Sequence, residues 1–304
     1  MRHILTLFDL SADEIRDIFR IAEEQKTLFS QGNRQALFPG RVMGLLFEKP
    51  SLRTRVSFEA AMAHLGGSSL FLGKDVGWGT RESMKDFVGV LSQYVDVIVC
   101  RSRDHDQITD MAKYSACPVI NGLSSISHPC QALSDLFTLK EIRGSLSGAT
   151  LSYVGDGNNV ARSLAVACGK LGVRIKIATP PSYAFEDCFL EHLRQEIPEL
   201  EIFVMQDPLA AVEDADVVYT DVWASMGQES EAADRERAFE PFQVNADLMA
   251  VAPADACFLH CLPARRGQEV TDEVLDGPQS QVIEQAANRM HAQKGLLVWL
   301  LNEA

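Results

Sequence analysis

The chain has 304 residues, 46% of them hydrophobic, and carries 28 Lys and Arg against 42 Asp and Glu, a net charge of −14. That length suits two domains at the usual ~100–200 residues each. The acidity excludes non-specific nucleic-acid binding and adhesion to an acidic membrane surface, and no stretch approaches the ~18 consecutive apolar residues of a membrane span.

The N-terminal stretch MRHILTLFDLSADEI scatters its charges and has no uninterrupted apolar core, so it reads as neither a signal peptide nor a basic transit peptide. The seven cysteines form no CxxC pair and no regular framework. Free thiols in a soluble, cytoplasmic protein are the expectation. Cys257 and Cys261 flank His260, yet no second ligand pair with zinc spacing accompanies them, so no metal is expected.

Helix and strand patterns alternate along the chain. LSADEIRDIFRIAEEQKTLF begins with Ser11 and has Glu14 three residues later, a capping-box pattern ahead of apolar residues at helical spacing. VMGLLFE reads as a strand and 54–65 as a helix; SSLFLG is a short strand and 82–94 a helix. VDVIVCR is an unbroken apolar strand followed by a helix at 107–115, and CPVING a strand followed by one at 129–143. GSLSGAT breaks this pattern near 144–148. A second series then starts: strand TLSYVGD, helix NNVARSLAVACGKLG, strand RIKIATP, helix 185–195, strands LEIFVMQ and DVVYTDVW with a short helix between them, strand ACFLHCLP, and a long last helix at about 280–300. Repeated strand–helix units predict an α/β protein with two parallel-sheet αβα domains.

Ligands of such sheets bind at the carboxyl ends of strands. Six strand ends here carry concentrated polar chemistry: SLRTR after VMGLLFE, Arg101 closing VDVIVCR, SSISHPCQ after PVING, GDGNN after LSYV, DVWASMG after DVVYT, and HCLPARRG after ACFL. A ligand cleft between the domains is the expectation. SLRTR puts Ser51, Arg53, Thr54 and Arg55 at a helix start in an otherwise acidic chain, where free N–H groups, hydroxyl donors and a bidentate guanidinium suit a small anion such as phosphate. No GxxxxGK[ST] is present, so it is not a nucleotide P-loop. VGDGNNVARS has Val160 and Ala161 where a dinucleotide fingerprint needs its third glycine, and no ribose-binding acid closes RIKIATPPSY; Asn158 and Asn159 read instead as substrate ligands, or one of them as a helix cap.

Taken together, these motifs resemble the aspartate/ornithine carbamoyltransferase family over nearly the whole chain and in the expected order. SLRTR is similar to its carbamoyl phosphate signature and HPCQ (128–131) to a second one; DVWASMG (221–227) and HCLP (260–263) resemble the ornithine branch, and GDGNN and the Asn-Arg pair at 288–289 also match. The resemblance implies transfer of a carbamoyl group from carbamoyl phosphate to L-ornithine, giving L-citrulline and phosphate, with no metal and no organic cofactor. It implies that Ser51, Leu52, Arg53 and Thr54 hold the phosphate, that Arg101 and His128 with Thr54 polarise the carbonyl, that Gln131 holds the carbamoyl amine, and that Arg289 completes the phosphate side. Asn159, Asp221, Ser225 and Met226 would bind the amino acid, Cys261 would lie against the reacting amine as base or orienter, and the Leu262 backbone would touch the carbamoyl group. It further implies a homotrimer with a carbamoyl phosphate-binding domain at 1–144, an ornithine-binding domain at 145–288, and a last helix (about 289–304) returning to the first domain. One stretch departs: DVGWGTRE puts Gly77, with Trp78 beside it, where the family often has a glutamine that touches carbamoyl phosphate. That departure keeps a related acceptor, such as putrescine or an acylated ornithine, in view, whereas Asp221 and the SMG loop favour a free α-amino acid. A non-catalytic anion binder is the reading from another class, and the joint presence of Arg53, Arg101, His128, Gln131 and Cys261 argues against it.

Overall fold

The structure, a computed structural model, describes residues 1–78, 80–224 and 229–302. It divides into two compact units: Met1–Phe137 with Ala287–Ala304, and Thr138–Ala286.

The first unit is built on four parallel strands, β1 (Val42–Phe47), β2 (Ser68–Leu72), β3 (Val97–Arg101) and β4 (Val119–Leu123), in the order β2-β1-β3-β4. β1 and β3 are almost entirely buried, which explains their unbroken apolar runs: a parallel strand covered on both faces has no polar side to alternate with. β2, at the sheet edge, leaves Leu70 and Phe71 exposed. The helices are α1 (Ala12–Ser30), α2 (Leu52–His64), α3 (Met84–Leu91), α4 (His105–Tyr114) and α5 (Pro129–Arg143), the last of which runs on into the second unit from Thr138. Ser11 and Glu14 close the capping box the sequence predicts. The core of this sheet gathers Leu46, Trp78, Val88, Val95, Ile98 and Val119.

The second unit has five parallel strands, β5 (Thr150–Val154), β6 (Arg174–Ala178), β7 (Ile202–Met205), β8 (Val217–Thr220) and β9 (Cys257–His260), in the order β7-β6-β5-β8-β9. Its helices are α6 (Asn159–Leu171), α7 (Asp187–Glu196), α8 (Pro208–Val212), α9 (Ala232–Phe239), α10 (Ala246–Val251) and α11 (Asp272–Leu275). The last three are short and were not expected from periodicity. Val154, Val218, Trp223, Phe239, Phe242 and Phe258 share its core. The last helix, α12 (Val282–Asn302), starts in this unit and runs into the first. There Gly295 lies against the Ile18 carbonyl of α1, an approach that leaves no room for a β-carbon.

Strand order fixes where chemistry can collect. In the first sheet the order reverses between β1 and β3, and in the second between β5 and β8; crevices open outside the carboxyl ends of strands at such switch points.

Candidate active site

Ser51 and Arg101 follow the two strands of the first switch point, and they meet. Ser51 caps α2, its Oγ accepting from the Thr54 backbone N–H at 3.3 Å. Arg101 Nη1 donates to Ser51 Oγ at 3.3 Å and to Thr54 Oγ1 at 3.2 Å. From α12, Arg289 donates through Nη2 to the same Thr54 Oγ1 at 3.5 Å and through Nη1 to Gln131 Oε1. Gln131 Nε2 in turn donates to Asp135 Oδ1 at 2.8 Å. Thr54, Gln131 and Arg289 are no more than 2% exposed, so two guanidiniums share a hydroxyl, and one of them holds an amide, away from bulk water. Leu52 and Arg53 open α2, at the positive end of its dipole.

His128 immediately precedes Pro129, which opens α5 in the one helical position that loses nothing by lacking an N–H. Its imidazole is buried; burial pulls its pKa well below the ordinary value, and the Arg289 and Arg101 charges push it further down. At neutral pH it is a neutral ring, a donor through one nitrogen and an acceptor through the other. The set is therefore cationic through two arginines rather than three groups, with neutral donors at its centre. It suits a small phosphorylated carbonyl compound.

In the second unit the switch point joins Asn158, after β5, to Asp221, after β8: Asn158 Nδ2 donates to Asp221 Oδ2 at 2.8 Å. The same Asn158 caps α6, its Oδ1 accepting from the Val160 and Ala161 N–H groups. The cap that the sequence left between two asparagines thus falls on Asn158, and Asn159 is the first helical residue. Cys261 Sγ donates to Asp221 Oδ1 at 3.0 Å, and the Val222 N–H donates to that oxygen at 2.8 Å. Ser225 and Met226 lie outside the described residues.

Asp221, His260 and Cys261 bring a carboxylate, an imidazole and a thiol within 4.8 Å of one another. His260 is already committed, however. Its Nδ1 accepts from the Leu262 backbone N–H at 2.8 Å, which leaves the proton on Nε2, 3.2 Å from Glu269 Oε1. Neither ring nitrogen offers a lone pair to a metal without breaking a buried bond, so the three residues do not fit a metal site. The His260–Glu269 pair instead holds Leu262 in a positive-φ conformation (φ 56) that a branched side chain rarely adopts. Gln285 adds to this by accepting from the His260 N–H at 2.9 Å.

A second buried contact steadies the β5 and β8 exits together. Arg235, on α9, donates through Nη1 to Asp156 Oδ2 at 2.7 Å and to the Trp223 carbonyl at 2.9 Å. Tyr153, stacked on Tyr219 at 5.7 Å, has its hydroxyl 3.4 Å from Asn158 Oδ1; burial, with Asp221, Asp156 and Cys261 nearby, pushes its pKa well above the ordinary value. Asp135, Arg235, Glu269 and Gln285 are the residues around these sets that sequence reasoning missed, and Asp156 lies in the GDGNN motif without having been given a role. For Asp135 a signal was present, four residues after Gln131 on a helix. At the departing loop, Gly77 has φ 73, and Trp78 is buried in the first unit's core.

Residues 2–141 match the family description "Aspartate/ornithine carbamoyltransferase, carbamoyl-P binding domain", and residues 147–300 match "Aspartate/ornithine carbamoyltransferase, Asp/Orn binding domain". The chain is 49% identical over 303 residues to an anabolic ornithine carbamoyltransferase of Pyrococcus furiosus, covering 99% of this chain and 96% of that one. It is 48% identical to the ornithine carbamoyltransferase of Bacillus subtilis, covering 99% and 94%. Among solved structures, ornithine carbamoyltransferase from Pyrococcus furiosus superposes with a TM-score of 0.96 at 48% identity, covering 100% of this chain and 98% of that one. An anabolic ornithine carbamoyltransferase from Campylobacter jejuni does so at 0.94 and 36%, with both chains fully covered.

Proposed function

The chain belongs to the aspartate/ornithine carbamoyltransferase family, and from that premise we infer that it transfers the carbamoyl group of carbamoyl phosphate to the δ-amine of L-ornithine, giving L-citrulline and phosphate in arginine biosynthesis. The observation that carries this reading is the buried network in which Arg101 and Arg289 converge on Thr54, with Arg289 also on Gln131, beside the capped start of α2.

The carbamoyl phosphate dianion is assigned to Ser51, the backbone at Leu52, Arg53, Thr54 and Arg289, with the helix dipole adding to their charge. Attack on the carbonyl places negative charge on its oxygen. Arg101, Thr54 and the neutral His128 are donors for that charge, and losing one such donor typically costs ~10²–10³ in rate. Arg53 stabilises the departing phosphate. Gln131 takes the carbamoyl amine.

Asn159 and Asp221, with Ser225 and Met226, are assigned to the second substrate, and the Leu262 backbone to the carbamoyl group. The Cys261 thiol aims its proton at Asp221, so it meets the carboxylate as a donor rather than standing as a thiolate base. This favours an orienting role for Cys261. The amine must be neutral to attack, and an alkyl ammonium with a pKa near ~10.4 is mostly protonated at pH 7.

The same reading makes the protein a cytoplasmic homotrimer. No helix among the described residues is long and apolar enough to cross a membrane. Light scattering on the purified chain should give three times its mass. The deciding experiment is citrulline formation from carbamoyl phosphate and L-ornithine, with putrescine, N-acetylornithine and aspartate as parallel acceptors. Activity with ornithine alone is the expected result. Preference for another acceptor would retain the carbamoyl phosphate assignments and overturn those for the amino acid, and inactivity with all four would overturn the transfer reading.

A further inference from the structure

Gln131 and Asp135 lie four residues apart on α5, so their side chains meet on one face. Both are buried, Asp135 completely. The Gln131 amide sits between two groups of opposite hydrogen-bonding character: Nε2 donates to Asp135 Oδ1 at 2.8 Å, and Oε1 accepts from Arg289 Nη1. An ionised carboxylate only accepts and a guanidinium only donates. Turning the amide over would set its oxygen against the carboxylate and its NH₂ against the guanidinium. One orientation survives.

We propose that Asp135 is a positioning residue that locks the Gln131 amide with its oxygen on the Arg289–Thr54 side, so that this chain selects a phosphate donor carrying –NH₂ over one of the same shape carrying –CH₃. The inference rests on the carbamoyl-transfer reading and deepens it by naming what chooses the donor. An amide oxygen has two lone pairs. Arg289 takes one, and the other can accept an N–H from a carbamoyl group. Acetyl phosphate presents a methyl there, cannot donate, and leaves a buried oxygen under-satisfied. One hydrogen bond of this kind corresponds to about tenfold in affinity.

The test is calorimetric titration of the full-length protein with carbamoyl phosphate and with acetyl phosphate, alongside citrulline kinetics. Asp135→Asn, Asp135→Glu and Gln131→Ala are compared with the wild type, and Asp135→Asn is repeated in the Gln131→Ala background. An asparagine can turn either end of its amide to Gln131, so the carboxylate no longer opposes the turned amide and Arg289 alone does. The carbamoyl-to-acetyl affinity ratio should then fall, by no more than the roughly tenfold that Gln131→Ala loses. Asp135→Glu keeps an acceptor-only group and should keep the ratio. With Gln131 already gone, Asp135→Asn should move the ratio no further. Equal weakening of both phosphates by Asp135→Asn, or a ratio lost as fully in Asp135→Glu, would overturn the proposal. Should Asp135→Asn not fold, Asp135→Glu holding the ratio that Gln131→Ala loses carries it, and Asp135→Glu losing that ratio overturns it. A wild type that shows the expected ratios but makes no citrulline would sink the transfer reading and leave the role of Asp135 standing.

Discussion

Arg235→Met is the substitution whose cost can be worked most fully. Arg235 and Asp156 are 6% and 8% exposed and 2.7 Å apart, and the same guanidinium satisfies the Trp223 carbonyl. Removing one partner of a buried pair leaves an uncompensated charge, at about 3–5 kcal/mol. In a unit of about 150 residues, each kcal/mol shifts the melting temperature by ~2–4 °C, so a fall of about 6–20 °C is expected. The pH dependence has a definite sign. Burial raises the Asp156 carboxyl above its ordinary range, and Arg235 opposes that rise. Without Arg235 the folded carboxyl holds its proton more tightly still. A raised folded pKa makes stability fall as pH rises from the unfolded value through the folded one, so the penalty is largest at pH 7 and shrinks toward pH 5. Circular-dichroism melts of Arg235→Met at pH 7 and pH 5, with Asp156→Asn/Arg235→Met as control, would measure it. The double variant should recover much of the loss and lack the pH dependence. A penalty under about 1 kcal/mol at pH 7, or one that grows on acidification, would refute the reasoning.

Lys294, buried on α12 with its ammonium 5.0 Å from the Phe29 ring, has its pKa lowered to about 8 by burial and by Arg34. Its folded state holds the proton less tightly than the unfolded chain, so the cost is full below about 8 and fades as pH rises toward 10.5. Lys294→Met should therefore stabilise the protein at pH 7 by on the order of 2 kcal/mol, an advantage that melts at pH 10 should no longer show. Arg53→Ala should lower kcat/KM for carbamoyl phosphate by about 10²-fold with the melting temperature held, and near-normal kinetics would remove Arg53 from the phosphate side. Because the amine must be neutral, kcat/KM for ornithine should rise close to tenfold per pH unit from 6 to 8; a flat profile with chemistry limiting would contradict this.

The sequence located the strands well because buried parallel strands leave a strong signal. VMGLLF and VIVCR are apolar throughout, and both are covered on two faces. The short helices α9 to α11 span eight, six and four residues, too few turns for a helical period to stand out. The strand-end motifs were legible since each is local: Ser51, Arg101, Asn158 and Asp221 announce themselves by type and place. Their long-range pairings were not. Arg235 reaches Asp156 across 79 positions, and Arg289 reaches Gln131 across 158. Nothing in local pattern distinguishes Arg235 from the solvated charges around it in AADRERAF. The adjacency of β5 and β8 brings the first pair together, and the return of α12 into the first unit brings the second.

The same logic accounts for the Gly77–Trp78 departure. Trp78 packs with Leu46, Val88 and Ile98, so the indole draws the chain into the first unit's core at that point. The residue before it must turn, and Gly77 does so at φ 73, its carbonyl accepting from the Thr80 and Arg81 N–H groups, each at 3.1 Å. A β-carbon at Gly77 would run into the Arg81 side chain and would carry the ordinary penalty of about 1 kcal/mol for a left-handed L-residue. A glutamine at 77 would thus carry a backbone penalty and displace the Arg81 side chain. What the loop forgoes in polar reach it gains in core packing. On the proposed reading the phosphate side rests on groups fixed by regular elements: Ser51 and Thr54 at the start of α2, Arg101 at the end of β3, and Arg289 on α12. Side chains held by strands and helices keep their geometry without a ligand, so the loss of a loop contact costs such a site affinity more readily than it costs it chemistry.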